Sequence, residues 1–293
     1  MAGNRQWAGT TFGSGWMHSR LIGLLRHVDV RVLYVFVDIF VIPFCLIFNR
    51  SRSTAYHFFR ERMGYGVWKS VWSTVVNHCN FAQVVIDRFA MYAGQKFDVI
   101  VEGMEHFNAL AAGDEGFIHL SSHIGNYEIA GYSLVSDRKT INAVVFAHEK
   151  ASVMENRNSM FVKTNIRMIP MDSDLQYLFD IDNALSNGDI VSFPSDRYME
   201  GSRCLEAGFL GGKAHFPQGP FRVAAMRGVD VLAVNVMKEG SKRYRISVTP
   251  IPYDRTAPRA AQVNAILEGY VAELEKRVRQ YPEQWYNFFD FWK

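Results

Sequence analysis

Cysteine is scarce in this chain: there are three in 293 residues, Cys45, Cys79 and Cys204, far apart and with no C-x-x-C pair. That spacing argues against a disulfide framework and against a structural zinc site, and it fits a reducing, cytosolic setting. An excess of one charge is lacking too, since 32 Lys and Arg face 29 Asp and Glu for a net charge of +3. No G-x-S-x-G elbow occurs, which removes the commonest serine hydrolase arrangement. The glycine-rich run 208–214, GFLGGKA, has the wrong spacing for a phosphate loop and no Ser or Thr after Lys213, so no nucleotide site follows from it. Internal repeats, low-complexity tracts and an interdomain linker are also absent.

What remains is a chain with 48% hydrophobic residues, enough for a substantial core. Short apolar runs at 97–101, 117–120, 141–146, 190–193, 231–236 and 244–248 read as strands. Helical patterns fall at 104–112, 126–135, 175–186, 221–227 and 259–280, and residues 54–91 read as mainly helical with a break at 64–66. This alternation predicts an α/β fold, a mixed and mostly parallel sheet covered by helices. The expected division is an N-terminal segment, 1–53, and an α/β domain, 54–293.

Residues 32–48, VLYVFVDIFVIPFCLIF, are close to the minimum length for crossing a bilayer. They contain Asp38 and Pro43, follow Arg31 and precede Arg50 and Arg52. A hydrophobic anchor helix, embedded in or lying along one leaflet, accounts for the length, the single acid and the flanking arginines together. A buried core helix is the alternative. The run starts too far from the N-terminus, and lacks the small-residue site, for a secretory signal. Upstream, Trp7, Phe12 and Trp16 interleave with glycines. Two basic clusters, Arg50/Arg52/Arg60/Arg62 and Lys238/Lys242/Arg243/Arg245, suit an anionic membrane surface or an acidic carrier protein, with a plain solvated surface as the alternative. Basic and aromatic residues mix near 56–62, but beside an apolar anchor they fit a membrane better than nucleic acid.

The most informative stretch is SSHIGNYE, residues 121–128. A short apolar strand ends at His123, and Gly125 and Asn126 turn the chain into a helix whose first turns hold Glu128. The carboxyl ends of strands in an open α/β sheet form the usual ligand crevice. A carboxylate that accepts a hydrogen bond from one imidazole nitrogen leaves the other to take a proton, so His123 and Glu128 read as a pair able to activate a hydroxyl. A satisfied polar pair is the bland alternative. His119 and His123, four apart on a strand, share a face but spread too far to hold a metal without further ligands.

The H-x4-E pattern after a short apolar strand resembles the signature of the lysophospholipid acyltransferase superfamily, specifically its lipid A late acyltransferase branch. A second block agrees with it: DIVSFPSD, 189–196, ends in Asp196 and is followed by Arg197 and by FLGGKAHFPQGPFRVAAMRG, 209–228. In that block Gly219 and Pro220 suit the start of a helix. The closing segment YPEQWYNFFDFW, 281–292, resembles the end of the same family's chains. Asp-Arg at 196–197, where the family usually has Asp-Gln, and Gly-Gly-Lys at 211–213 depart from the pattern. A downstream family arginine is best matched by Arg157, with Arg167 as a competitor.

The resemblance implies acyl transfer from an acyl carrier protein or coenzyme A thioester to a lipid acceptor, with no cofactor, at the cytoplasmic face of a bacterial inner membrane. His123 is then the general base, with Glu128 fixing its tautomer. Backbone N–H groups near Gly125 and Asn126, or Arg157, would face the oxyanion, and Asp196, Arg197 and Gly219 would bind substrate. Phe193, Phe209, Phe216 and Phe221 are either an acyl groove or ordinary core. A thioesterase or lipid hydrolase using the same pair on water, and a membrane-bound scaffold without chemistry, remain as rivals.

Overall fold

The computed structural model of the chain describes residues 15–49, 51–146, 165–171, 175–198, 202–289 and 291–292. Its helical N-terminal layer comprises α1 (Gly15–Leu25), α2 (Val30–Phe48), α3 (Ser51–His57, running on into a π turn at Phe58–Arg62) and the long α4 (Val67–Tyr92). Asp29 caps α2 by accepting from the Arg31 N–H. Within α2 a π-helical stretch, Val37–Val41, comes just before Pro43. Proline has no N–H to give the preceding turn, and a π turn absorbs that mismatch without breaking the helix.

The alternating region follows as β1 (Asp98–Glu102), α5 (Met104–Ala112), β2 (Phe117–Gly125), α6 (Glu128–Ser133), β3 (Ile141–Phe146), β4 (Ile166–Met171), α7 (Gln176–Ser186) and β5 (Ile190–Pro194). Then come the hairpin β6 (Cys204–Phe209) and β7 (Gly212–Pro217), α8 (Gln218–Arg227), β8 (Asp230–Gly240), β9 (Arg243–Pro250) and α9 (Arg259–Gln280). Seven strands form one sheet in the order β1-β9-β8-β2-β5-β3-β4. Among the described residues only the β8/β9 pair of this sheet is antiparallel, so the sheet is mixed and mostly parallel.

Strand alternation sends side chains to two cores. Ile118 and Leu120 of β2 and Val231 and Ala233 of β8 meet α7, α8 and α9 on one face. Phe117 of β2 and Leu232, Val234 and Val236 of β8 meet Phe107 of α5 and Ile129 of α6 on the other. A third, smaller cluster joins Leu25, Val30 and Tyr34 to Phe89 and Ala90 of α4. Phe193, Phe209, Phe216 and Phe221, allowed above as an acyl groove, are all buried in the first cluster and are core.

Three strands escaped the sequence reading. β4 is an edge strand carrying Pro170, which only an edge tolerates. The β6/β7 hairpin turns through Leu210 and Gly211, both at positive φ, so the glycines dismissed as a phosphate loop serve a tight hairpin.

The members of the second basic cluster are each paired with an acid. Lys238 is buried against Asp87, while Lys242 pairs with Asp29 at 2.7 Å, Arg243 with Asp98 at 3.0 Å, and Arg245 with Glu102 and Glu239. These pairs tie β8 and β9 to their neighbours.

Candidate active site

Adjacent parallel strands β2 and β5 end side by side, and the ladder runs on one step, with the Ser195 N–H donating to the Ser121 carbonyl at 2.8 Å. Beyond Ser121 the register of β2 against β8 slips. Ser121 faces Val234 and Gly125 faces Val236, so four residues of β2 cover two of β8. The surplus bulges outward, and a bulge re-aims a side chain. His123 sits on its crest and is the one residue of β2 not fully buried.

Asp196, just past the end of β5, receives His123 twice. The His123 main-chain N–H donates to Oδ2 at 2.8 Å, and ring Nδ1 lies 2.7 Å from Oδ1. Trp285 Nε1–H adds a third bond to Oδ2 at 3.3 Å. Trp285 also bridges to Ile124, and the Tyr286 N–H donates to the His123 carbonyl at 3.1 Å, so the C-terminal segment clasps the bulge. From behind, the Tyr270 hydroxyl of α9 donates to the Ser121 carbonyl at 2.9 Å.

Burial first, then the nearby Arg197 charge, push the His123 pKa below its ordinary value, against the pull of Asp196. Burial works against the Asp196 carboxylate, but His123 and Arg197 outweigh it and hold Asp196 below the usual range. Around neutral pH the pair is therefore a neutral imidazole with its proton on Nδ1, bonded to a carboxylate. The lone pair is on Nε2.

Glu128 stands elsewhere. Its Oε1 lies 2.9 Å from Arg88 Nε, as an ion pair without hydrogen-bond alignment, and Oε2 accepts from the Tyr92 hydroxyl at 3.0 Å. Both partners belong to α4. Contrary to the expectation that Glu128 would meet the ring, it is Asp196, expected to bind substrate, that His123 Nδ1 contacts. The cause is tertiary, because β5 is the hydrogen-bonded neighbour of β2 whereas the side chain opening α6 points to α4.

One oxyanion expectation changes as well. The Asn126 N–H donates to the Val236 carbonyl at 3.0 Å, so it is already engaged. Gly125 has φ +57, and a Cβ there would stand 1.9 Å from Val236 O, so its glycine is required by close approach to β8. Arg197 Nη2 donates to the Tyr286 carbonyl at 2.5 Å, which ties it to the C-terminal clasp. Gly219 lies exposed in the first turn of α8. That helix leads through Gly228 into β8, so its start lies at the same end of the sheet as His123. Arg157 lies outside the described residues.

Of the proposed residues, the structure brings together His123, Asp196 and Arg197, and adds Trp285 and Tyr286, which sequence reasoning did not single out. The only advance signal was two strands, each ending in an ionisable residue. His119 packs against Phe107 and Phe117 with tilted rings, where burial pushes its pKa down to about 3. Among the described residues no group of three or more His, Cys, Asp or Glu is placed to hold a metal ion. A cleft of about 700 Å³ between β6 and α9, lined by Glu206, Leu267, Glu268 and Glu275, contains none of the site residues.

The family model for bacterial lipid A biosynthesis acyltransferases matches residues 77–293, well over half of the chain and all of this site. The chain belongs to that family. Within the lipid A acyltransferase family match, His123, Glu128 and Asp196 all fall inside the shared region. The chain is 22% identical over 199 residues to phosphatidylinositol mannoside acyltransferase of Mycobacterium tuberculosis, in strains ATCC 25618 / H37Rv and CDC 1551 / Oshkosh; the match covers 68% of this chain and 61% of the relative. The chain thus spans less than two thirds of the length of the curated relatives it matches. Among solved structures, the 1-acyl-sn-glycerophosphate acyltransferase PlsC of Thermotoga maritima is similar at a TM-score of 0.37 and 18% identity, over 92% of this chain and 98% of that one.

Proposed function

We propose that this chain moves a fatty acyl group from an acyl carrier protein or coenzyme A thioester to a hydroxyl or amine of a lipid or glycolipid acceptor. The observation that carries the reading is the 2.7 Å contact from His123 Nδ1 to Asp196, on a bulge at the carboxyl ends of two parallel strands in a lipid A acyltransferase family member. Nε2 takes the proton of the acceptor hydroxyl as its oxygen attacks the thioester carbonyl. Asp196 holds the ring and stabilises the imidazolium. The tetrahedral oxyanion collapses, the C–S bond breaks, and the thiolate leaves as the thiol with the proton from Nε2. A thioester is already activated, so no covalent enzyme intermediate and no cofactor are needed; alignment and proton transfer suffice. A positioned general base contributes about 10²–10⁴ in rate.

A glycolipid acceptor is favoured by the similarity to the mycobacterial phosphatidylinositol mannoside acyltransferases. The apolar α2 favours work at a membrane surface, which we take to be the cytoplasmic face of a bacterial inner membrane. The test is thiol release from an acyl thioester, with and without lipid acceptor, alongside mass spectrometry of lipids from cells with and without the protein. Thiol release that needs acceptor, and one lipid species that loses an acyl chain, are expected. Fatty acid formed at the same rate without acceptor would make the protein a thioesterase.

A further inference from the structure

We propose that α2 does not cross the bilayer but lies along one leaflet, its outer face in the acyl region and its inner face on the protein. The inference rests on the membrane association proposed above and not on the chemistry at His123.

Two observations carry it. First, α2 is exposed on one side only. Val32, Val35, Phe36, Ile39, Phe40, Phe44, Ile47 and Phe48 follow helical spacing and are all exposed, whereas Val30, Tyr34 and Ile42 on the other side are buried. Only 17% of the apolar window is buried, which sets aside a core helix. Asp38, the one acid, points inward, where Gln83 Nε2 donates to its Oδ2 at 3.0 Å.

Second, that inner side is fastened to α4 along its length. Tyr34 donates to Asp87, and Asp38 accepts from Gln83, so four residues forward on α2 match four residues back on α4. The helices run antiparallel, and the end of α2 therefore lies beside the first half of α4. That helix is itself bound to the α/β body from end to end. Ser73 donates to Glu283 Oε1 at 2.9 Å, Asn77 to the Trp285 carbonyl at 3.1 Å, Asp87 pairs with Lys238, and Arg88 pairs with Glu128. Standing α2 upright would carry this charged body through the hydrocarbon layer, where unmatched polar groups are not tolerated. Lying flat, α2 buries only its apolar stripe.

The surroundings fit the flat placement. Trp68 and Trp72, one turn apart at the start of α4, are 86% and 68% exposed, with Val67 and Val71 beside them. Tryptophan prefers the headgroup boundary. Cations stand at both ends of α2, Arg31 in its first turn and Arg52 after it, and Arg52 Nη1 donates to the Leu46 carbonyl at 2.7 Å. A leaflet-bound helix places both ends at one anionic surface.

The experiment adds full-length protein to sealed vesicles of phosphatidylethanolamine and phosphatidylglycerol. R26C and N49C, at exposed positions beyond either end of α2, are made singly in a C45S/C79S/C204S background checked by circular dichroism. A membrane-impermeant maleimide outside the vesicles is expected to label both, and a bimane on F40C is expected to be quenched by lipids brominated on the acyl chain. Labelling of only one end until detergent is added overturns the flat placement and leaves membrane association standing. Both ends labelled without quenching at residue 40 also overturns it, since the stripe would then face something other than lipid. Failure to sediment with vesicles overturns both readings. The cysteine-free background is not needed for a second readout: loss of vesicle binding in W68F/W72F supports the placement, and unchanged binding contradicts it.

Discussion

Asp196 and Glu128 are two buried carboxylates that the sequence offered to one imidazole, and their surroundings separate them. Asp196 accepts from the ring, the backbone of His123 and the indole of Trp285, all within the crevice. Glu128, only 3% exposed, is spent on Arg88 and Tyr92 of α4. One holds the His123 ring, and the other fastens α6 to the helix that carries α2. A motif spacing of five residues therefore says that an acid is close, not whom it serves.

The largest expected effect is at the base itself. His123→Ala should lower acyl transfer by about 10⁴-fold, the upper end for a positioned general base, with the circular dichroism spectrum unchanged. Full activity in the folded variant would remove the site altogether. Asp196→Asn should follow at about 10²- to 10³-fold in kcat, because an amide can present its N–H to Nδ1 and select the wrong tautomer. The same steady-state assay reads it.

Glu128→Gln sharpens the contrast. Removing one partner of a buried ion pair costs about 3–5 kcal/mol, so thermal melting should show a marked fall in Tm. Activity well below Tm should fall less than in Asp196→Asn. Arg88→Met added to Glu128→Gln should cost less than the two changes separately, since no uncompensated charge is left buried. A Glu128→Gln protein with wild-type Tm and the activity loss of Asp196→Asn would reverse the assignment of the two acids.

The smallest effect concerns pH. His123 titrates below the ordinary imidazole range, so kcat/KM should rise with pH on an acid limb below that range and stay flat through neutrality. Arg197 helps to depress it, and Arg197→Gln removes a positive charge from beside the imidazolium. The acid limb should then move to higher pH. A shift to lower pH would contradict the electrostatic role given to Arg197.

Much of the fold was legible because periodicity is local. The runs at 141–146 and 259–280 recur with the same bounds in β3 and α9, and the break at 64–66 is the turn into α4. The hairpin at Leu210–Gly211 was missed because its glycines look like several other motifs. β4 was missed because an edge strand with a proline carries little alternation. His123 at a strand end was equally legible, and so was the acid closing β5, but not their adjacency.

By itself the sequence determined where most strands and helices form, that a histidine stands at the end of β2, and that one helix is apolar over most of its length. Those follow from side-chain chemistry and spacing along the chain. Only the tertiary structure decided which acid meets His123 and which face of α2 meets the protein. Strand order and helix docking join residues such as His123 and Asp196, or Asp38 and Gln83, that are dozens of positions apart, and no local pattern encodes which distant neighbour wins.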